Sequence, residues 1–330
     1  MAAFANFPIP LDIEPMEAKP APELPNGTGW QFEPKWDGFR CLVFRDGDAV
    51  ELKAKSGKSL TRFFPEVARR LSELEQTRFV LDGELMIQVR GAYSFEALQM
   101  RLHPAESRIR RLSSETPAIL VAFDCLMDTR GRSLLEVPLD ERRAALETFS
   151  GAGLELTPYS RDRKVAQGWL DHLTASLDGV VCKRGDAPYE AGERAMIKVK
   201  RLRSADCVVG GFRYEGDSRL VGSLLLGLYD SEGRLDHVGY TSTITNAERP
   251  ALTKRLEALV EKPGFSGEAP GGPSRWSTQR SGDWQPLRNE LVVEVCFDHV
   301  SGGRFRHGTK LLRWRADKAP RQCGKTQLAM

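Results

Sequence analysis

The sequence predicts two domains of different class: an α+β domain over residues 1–203, followed by an all-β domain over 204–330. Three observations carry this expectation. The chain has 330 residues, and at about 150 residues per domain two is the first expectation. Up to Arg201 strand-like and helix-like runs alternate, whereas beyond it short apolar runs follow one another across Gly and Ser-Glu-Gly turns, with a single helix. The apolar content of 41% against 28% charged residues supports real cores and excludes disorder throughout.

In the first domain, residues 1–29 are rich in Pro and Ala without periodicity and read as an extended lead-in crossing a surface. The runs FRCLVFR (39–45) and AVELKAK (49–55) flank Asp46-Gly47, which signals a hairpin with a type I′ turn. Thr61–Glu75 reads as a helix, with Pro65 near its start and Val67, Leu71 and Leu74 at helical spacing. FVLDGELMI (79–87) reads as a strand interrupted by Gly83, and SFEALQMRL (94–102) as a short helix capped by Ser94. AILVAFDCLM (118–127) is continuously apolar, as in a strand buried on both faces. Pro138–Phe149 is helical, started by Pro138 or Asp140, and LDGVVCKR (177–184) and AMIKVKR (195–201) are two further strands.

In the second domain, DCVVGGFRY (206–214), SLLLGLYD (223–230), RLDHVGYTS (234–242) and LVVEVCFDHV (291–300) read as short strands. A helix is expected at 249–261, on Leu252, Leu256 and Leu259, and a Gly/Pro/Ser-rich loop at 262–286. Short strands with one helix fit a small barrel, for which a five-stranded OB-type barrel is the natural candidate.

Composition excludes several classes. No run approaches the roughly 18 apolar residues of a membrane span. The N-terminal residues lack the basic-then-apolar pattern of a secretory signal. The six cysteines are scattered without a CxxC pair, which argues against a zinc ribbon or a disulfide framework and suits a reducing cytoplasm. Lacking a coiled-coil stripe, the chain is expected to be a monomer. The net charge of +3 is small, yet residues 301–325 carry Arg304, Arg306, Lys310, Arg313, Arg315, Lys318, Arg321 and Lys325 against one acid, Asp317. This cluster is either a solvated basic tail or the footprint of a polyanion.

The chemistry-bearing residues begin at Glu33-Pro34-Lys35-Trp36-Asp37-Gly38-Phe39-Arg40, where a Lys and an Arg flank a Gly turn. Such a Lys alone is usually a solvated charge. Down the chain follow Asp82-Gly83-Glu84 within an apolar strand, Phe123-Asp124 near the end of another, Asp178-Gly179-Val180-Val181, Lys198-x-Lys200, and Arg313-x-Arg315-x-Asp317-Lys318. Taken singly, Phe123 reads as a core aromatic, Glu84 and Asp178 as turn acids, and Lys198 and Lys200 as the wet face of a strand.

In this order the series resembles the nucleotidyltransferase superfamily of ATP-dependent DNA ligases, RNA ligases and mRNA capping enzymes, and looks closest to the small two-domain bacterial DNA ligases. The resemblance runs from PMEAKP (15–20) to RADK (315–318). It implies an ATP-grasp-like adenylation (nucleotidyltransferase) domain followed by an OB-fold domain. It also implies an enzyme that uses ATP with Mg²⁺ or Mn²⁺ to seal nicked duplex DNA, with DNA-repair proteins as possible partners.

The same resemblance assigns roles to particular residues. Lys35 is the nucleophile that takes AMP from ATP, passes it to a 5′-phosphate and so prepares attack by a 3′-hydroxyl. An amine attacks only without its proton, so neighbouring cations must lower its ordinary pKa of about 10.4. Lys198 and Lys200 do this and neutralise the α-phosphate. Glu33 reads the adenine edge, Phe123 stacks on the base, Arg40 and Lys55 reach the ribose, and Lys183 approaches the nucleotide. Glu84 and Asp178 are the metal or ribose contacts. Arg315 and Lys318, with Arg313 and Asp317, orient the pyrophosphate, which calls for a flexible joint near Arg201–Ala205.

Three places depart from the family pattern. Asp178 stands where Glu is usual. AKSG (54–57) replaces SRNG, so Lys55 brings a point charge instead of a planar fork. Gly308-Thr309-Lys310 replaces a Pro and an apolar residue. Two other readings stay open: an RNA ligase or guanylyltransferase of the same superfamily, and a non-catalytic OB-fold protein that binds nucleic acid. Lacking zinc-ligand cysteines, the chain is not expected to be an NAD-dependent ligase.

Overall fold

A computed structural model describes residues 4, 6–149, 154–172, 177–216, 218–271 and 283–328. The chain divides into two compact units, Met1–Arg201 and Leu202–Met330.

The first unit holds strands β1 (Ala18–Ala21), β2 (Trp30–Trp36), β3 (Phe39–Asp46), β4 (Ala49–Ala54), β5 (Arg78–Val89), β6 (Ala92–Tyr93), β7 (Ala118–Met127), β8 (Glu155–Leu156), β9 (Leu177–Arg184) and β10 (Met196–Val199). Its helices are α1 (Pro65–Ser72), α2 (Phe95–Arg101), α3 (Glu106–Glu115), α4 (Leu139–Glu147) and α5 (Arg163–Asp171). They form two sheets, ordered β1-β10-β9-β2 and β4-β3-β5-β7-β8, with β6 paired to β5. Strand alternation decides which residues enter which core. On β5, Phe79, Leu81, Leu85 and Ile87 pack with Val67 and Leu71 of α1, Leu98 of α2 and Leu146 of α4. The opposite face carries Val80, Asp82, Glu84 and Met86. Val80 joins Leu42, Phe44, Ile9 and Met16 in a second cluster, flanked by Phe7, Leu11 and Ile13. The lead-in therefore crosses a surface as expected, and also covers an apolar sheet face. A third cluster seats α5, through Ala166 and Leu170, on Phe32, Val180, Cys182 and Val199.

Local chemistry accounts for where the elements differ from expectation. The hairpin loop is Gly47-Asp48, because Asp46 pairs with Ala49. Of the two loop residues only Gly47 takes a positive φ, as in a type II′ turn. The helix expected over 61–75 is broken into a 3₁₀ turn at Thr61–Phe63 and α1. Pro65 lacks an N–H and keeps Phe64 out of the helical region, at φ −130° and ψ 56°. Gly83 does not interrupt β5, whereas Ser94 caps α2 as expected, its hydroxyl accepting the Ala97 N–H at 3.2 Å.

The second unit holds β11 (Arg203–Tyr214), β12 (Val221–Tyr229), β13 (Leu235–Thr241), α6 (Arg249–Glu257), β14 (Gln285–Pro286), β15 (Val292–Phe297), β16 (Val300–Ser301), β17 (Arg304–Phe305) and β18 (Lys310–Trp314). The main sheet runs β13-β12-β11-β15-β18. Its two edges meet where Thr241 bridges Thr309 and the Thr309 N–H donates to the Tyr240 carbonyl at 3.0 Å. The sheet thus closes around Val208, Leu224, Leu226, Val238, Leu256 and Val293, as a five-stranded barrel does. The basic stretch 301–325 holds two of these strands, β17 and β18, with the last residue of β16, and is no unstructured tail. Arg203–Ala205 are strand residues paired with Val295–Phe297, so of the joint expected at Arg201–Ala205 only Arg201 and Leu202 lie outside a strand. Part of the expected 262–286 loop, 272–282, lies outside the described residues.

None of the six cysteines forms a disulfide. Among the described residues, no helix is long and apolar enough to cross a membrane.

Candidate active site

Within the first unit, side chains from both sheets line a cavity of about 220 Å³. The first sheet contributes Ala18, Glu33, Lys35, Val181, Lys183, Met196 and Lys198; the second contributes Arg40, Glu84 and Phe123. Pro15, Met16, Glu17, Pro34, Trp36 and Lys55 complete the wall. Eight of the residues named from the sequence, Glu33, Lys35, Arg40, Lys55, Glu84, Phe123, Lys183 and Lys198, are therefore brought together.

Two register shifts aim side chains at this place. Between β2 and β9, Lys35 pairs with Gly179 and Trp36 with Leu177, leaving Asp178 unopposed. Such a bulge re-aims a side chain, and Asp178 Oδ2 meets Lys35 Nζ at 2.8 Å. Gly179 is required beside it: φ is +151°, and a Cβ would fall 2.2 Å from the Val199 carbonyl. Between β5 and β7, Asp82 pairs with Asp124 and Gly83 with Ala122, which leaves Phe123 unopposed. Its ring is half-buried, with the Arg40 guanidinium carbon 4.7 Å and Lys183 Nζ 4.8 Å from its centroid. Phe123 is thus a wall of the cavity and not a core aromatic.

Charges in the site are paired, and the pairing sets their titration. Lys200 Nζ lies 2.8 Å from the same Asp178 oxygen as Lys35, which takes Lys200 off the wet strand face expected of a lone residue. Burial pushes the Asp178 carboxyl up, but Lys35 and Lys200 outweigh it and hold it below its usual range. Lys198 is lowered by burial and by Lys35, Lys200 and Lys55. Glu84 is pushed up to about 7 by burial, against the pull of Arg40 and Lys35; its Oε1 accepts the Gly38 N–H at 3.1 Å. Gly38 has no room for a Cβ, which would sit 2.2 Å from the Leu85 carbonyl. Glu33 is buried between Lys183 (2.8 Å to Oε2) and the Gln31 amide (2.8 Å to Oε1), and Lys183 also donates to the Phe123 carbonyl at 3.3 Å. Lys55 pairs with Glu17 at 2.8 Å, an occupation the AKSG departure did not announce.

A metal finds few ligands here. Among the described residues no three or more His, Cys, Asp and Glu side chains gather. The donor set fits a hard cation that takes one or two carboxylates and fills its shell with water and phosphate. Glu84, a half-buried carboxyl in the cavity wall, is the fitting ligand. Asp178, one of whose oxygens already takes two lysines, fits contact through water.

In the second unit, Arg315 and Lys318 are not open to solvent on all sides. Arg315 Nη1 lies 2.8 Å from Asp206 Oδ1, and Lys318 Nζ 2.6 Å from Asp206 Oδ2. Asp317 bonds Arg315 at 2.8 Å, and Glu294 holds Arg313 at 2.6 Å.

Sequence reasoning gave no role to the residues that hold the site in place. Asp82, beside the selected Glu84 in an apolar strand, is fully buried and grips Arg40 with both oxygens, each 2.5 Å from a guanidinium nitrogen. An acid two positions from Glu84 lies on the same strand face, and that was the available signal. Asp124 pairs with buried Arg142 at 2.8 Å. PMEAKP marked the start of the resemblance, yet its Met16 and Glu17 were given no role.

A family model for the ATP dependent DNA ligase domain matches residues 15–200, and one for the ATP dependent DNA ligase C terminal region matches residues 217–318. The chain is 43% identical over 336 residues to DNA ligase C1 of Mycolicibacterium smegmatis, covering 98% of this chain and 95% of that protein. It is 41% identical over 348 residues to DNA ligase C of Mycobacterium tuberculosis, covering 98% and 95%. Among solved structures, one from a structure-function study of Lig E DNA ligases has a TM-score of 0.57 at 17% identity. It covers 92% of this chain and 100% of that one, which is a likeness of fold.

Proposed function

The chain belongs to the ATP-dependent DNA ligase family, and from that premise we propose that it seals nicked duplex DNA through an adenylate carried on Lys35. The observation that carries the residue assignment is the position of Lys35 Nζ, in the wall of the cavity and 2.8 Å from Asp178.

In the first step the Lys35 nitrogen, having shed its proton, bonds to the α-phosphorus of ATP as the bond to the bridging oxygen breaks and pyrophosphate leaves. The AMP then passes to the 5′-phosphate at the nick, freeing Lys35. Finally the 3′-hydroxyl attacks that phosphate, the new phosphodiester forms and AMP departs. Phe123 and Glu33 hold the base, Arg40 the sugar, and Lys198 and Lys200 the charge that grows on the α-phosphate. Lys55 and Lys183 belong to the same pocket, and Arg315 and Lys318 address the pyrophosphate. Mg²⁺ or Mn²⁺ would be held by Glu84, with Asp178 behind it, and would supply charge neutralisation on the phosphates. A role in DNA repair in the cytoplasm, as a monomer, completes the reading.

Labelling with α-³²P-ATP and Mg²⁺, followed by a chase with nicked duplex, tests it. Label should attach to the wild type and not to Lys35→Ala, and should leave as the nick closes. Label that attaches but is discharged only by nicked RNA would replace DNA with RNA as the substrate.

A further inference from the structure

Tyr189, in the connection between β9 and β10, is 4% exposed and packs with Leu42, Phe44 and Met196. It does not line the cavity. A phenylalanine would fill the same apolar volume, so the hydroxyl needs its own explanation.

That hydroxyl donates to Asp82 Oδ2 at 2.6 Å and accepts the Met16 N–H at 2.9 Å. The Asp82 carboxylate clamps the Arg40 guanidinium with both oxygens. Arg40 Nη2 in turn donates to the Met16 carbonyl at 3.2 Å. Four groups thereby close a ring: Tyr189, Asp82, Arg40 and the Met16 backbone. Two of them, Arg40 and Met16, stand in the cavity wall. The Arg142 guanidinium carbon lies 5.6 Å from the Tyr189 ring centroid, and Arg142 pairs with Asp124, the neighbour of Phe123. A buried hydroxyl is costly to leave unpaired, and this one is satisfied only while Asp82 and Met16 hold their places. Asp82 has a fixed fork to offer Arg40 for the same reason.

We infer that Tyr189 is a positioning residue for nucleotide binding, its hydroxyl setting the Arg40 guanidinium and the Met16 backbone against the incoming ATP. The inference rests on reading the cavity as the ATP site. The phenol touches no nucleotide. Its effect passes through Arg40 and therefore falls on ATP binding and not on the chemical step.

The test is single-turnover formation of the Lys35 adenylate across ATP concentrations, in wild type, Tyr189→Phe, Arg40→Lys and the double variant. Tyr189→Phe should raise the half-saturating ATP concentration about tenfold, the scale of one charge-assisted hydrogen bond. Its maximal rate should stay within about twofold, with a melting temperature within about 4 °C of wild type. Lysine cannot make the fork, so in the Arg40→Lys background the same change should add under about twofold. Unchanged ATP dependence in Tyr189→Phe overturns the inference. So does a loss that repeats in full beside Arg40→Lys, which is the behaviour of a merely structural tyrosine. Should Tyr189→Phe not fold, Asp82→Asn reads the same ring: it keeps an acceptor for Tyr189 and removes the charge that holds Arg40. It should shift half-saturation in the same direction, and an unmoved value would overturn the inference too. Wild type that forms no adenylate at any ATP concentration would instead remove the reading on which the inference rests.

Discussion

Lys35 Nζ and Lys200 Nζ share one acceptor, Oδ2 of Asp178, each at 2.8 Å. Two ammonium groups on one carboxylate oxygen repel each other, and each weakens the other's hold. Lys35 is therefore anchored in direction beside a second cation, and a fixed direction is one of the things a nucleophilic amine needs. The ordinary alternative, a lysine kept only as a counter-ion, makes a different prediction. Lys35→Arg keeps the charge and a bond to Asp178 but cannot act as a neutral nucleophile. Covalent labelling by α-³²P-ATP should vanish in Lys35→Arg while its melting temperature stays within about 4 °C of wild type. A labelled arginine variant would show that the adenylate sits on another residue.

Phe123 supplies a second test, because its ring faces a cavity and not a core. Phe123→Ala should raise the half-saturating ATP concentration about tenfold or more, since base–aromatic stacking contributes about 1–3 kcal/mol. A buried core phenylalanine would cost about 3–5 kcal/mol of stability on truncation; this half-exposed one should cost well under half of that. Urea unfolding beside ATP titration separates the cases. A large stability loss with unaltered ATP dependence would return Phe123 to the core.

How far the sequence carried these conclusions depends on the range of the interactions involved. AILVAFDCLM is read as a strand over 118–127, and the strand ends at those residues, because a continuous apolar run needs no partner to be recognised. Ser94 is legible for a similar reason, a cap being a contact three residues long. The short strand β1, with no apolar alternation, and the helix α3, with only Ile109 and Leu112 buried among charges, leave too sparse a pattern to detect. Asp178 and Phe123 reach the site through bulges, and a bulge is decided by which strand pairs with which, a long-range fact. Tyr189 is less legible still, as its partners Asp82 and Met16 lie 107 and 173 residues away.

His237 makes stability depend on pH in the second unit. It is 6% exposed, and Arg304 Nη2 donates to its Nδ1 at 2.6 Å, so the imidazole is neutral there. Burial, with Arg304 and Arg213 repelling a further charge, pushes its pKa down to about 3. Unfolded, the ring takes a proton below about 6.5; folded, it does not until about 3. The unfolded state thus binds more protons throughout that window, and stability falls as pH falls through it. Between pH 7 and pH 5 the loss should be about 2 kcal/mol, from about 1.4 kcal/mol for each pH unit below the unfolded pKa. His237→Gln should lack this component. Equal pH sensitivity in the two proteins, measured by urea unfolding at pH 5 and pH 7, would show that the folded ring takes up its proton as readily as the unfolded one.

Arg315 and Lys318 meet at Asp206, on the first strand of the barrel, and this pairing bears on which step they serve. If the pair addresses pyrophosphate, it matters only while pyrophosphate is being expelled. Arg315→Ala should then slow formation of the Lys35 adenylate about 10²-fold or more, the scale of a lost charge-stabilising donor. Sealing of a nick that already carries AMP on its 5′-phosphate should be slowed only about threefold or less, because that substrate enters after the leaving group has gone. Asp206→Ala frees both cations without removing either, and each must then be ordered afresh at some entropic cost. Its effect should fall on the same step as that of Arg315→Ala and be smaller. Equal slowing of the two reactions by Arg315→Ala would place the arginine on the DNA, gripping phosphates through every step, and Asp206 would then be holding a DNA contact.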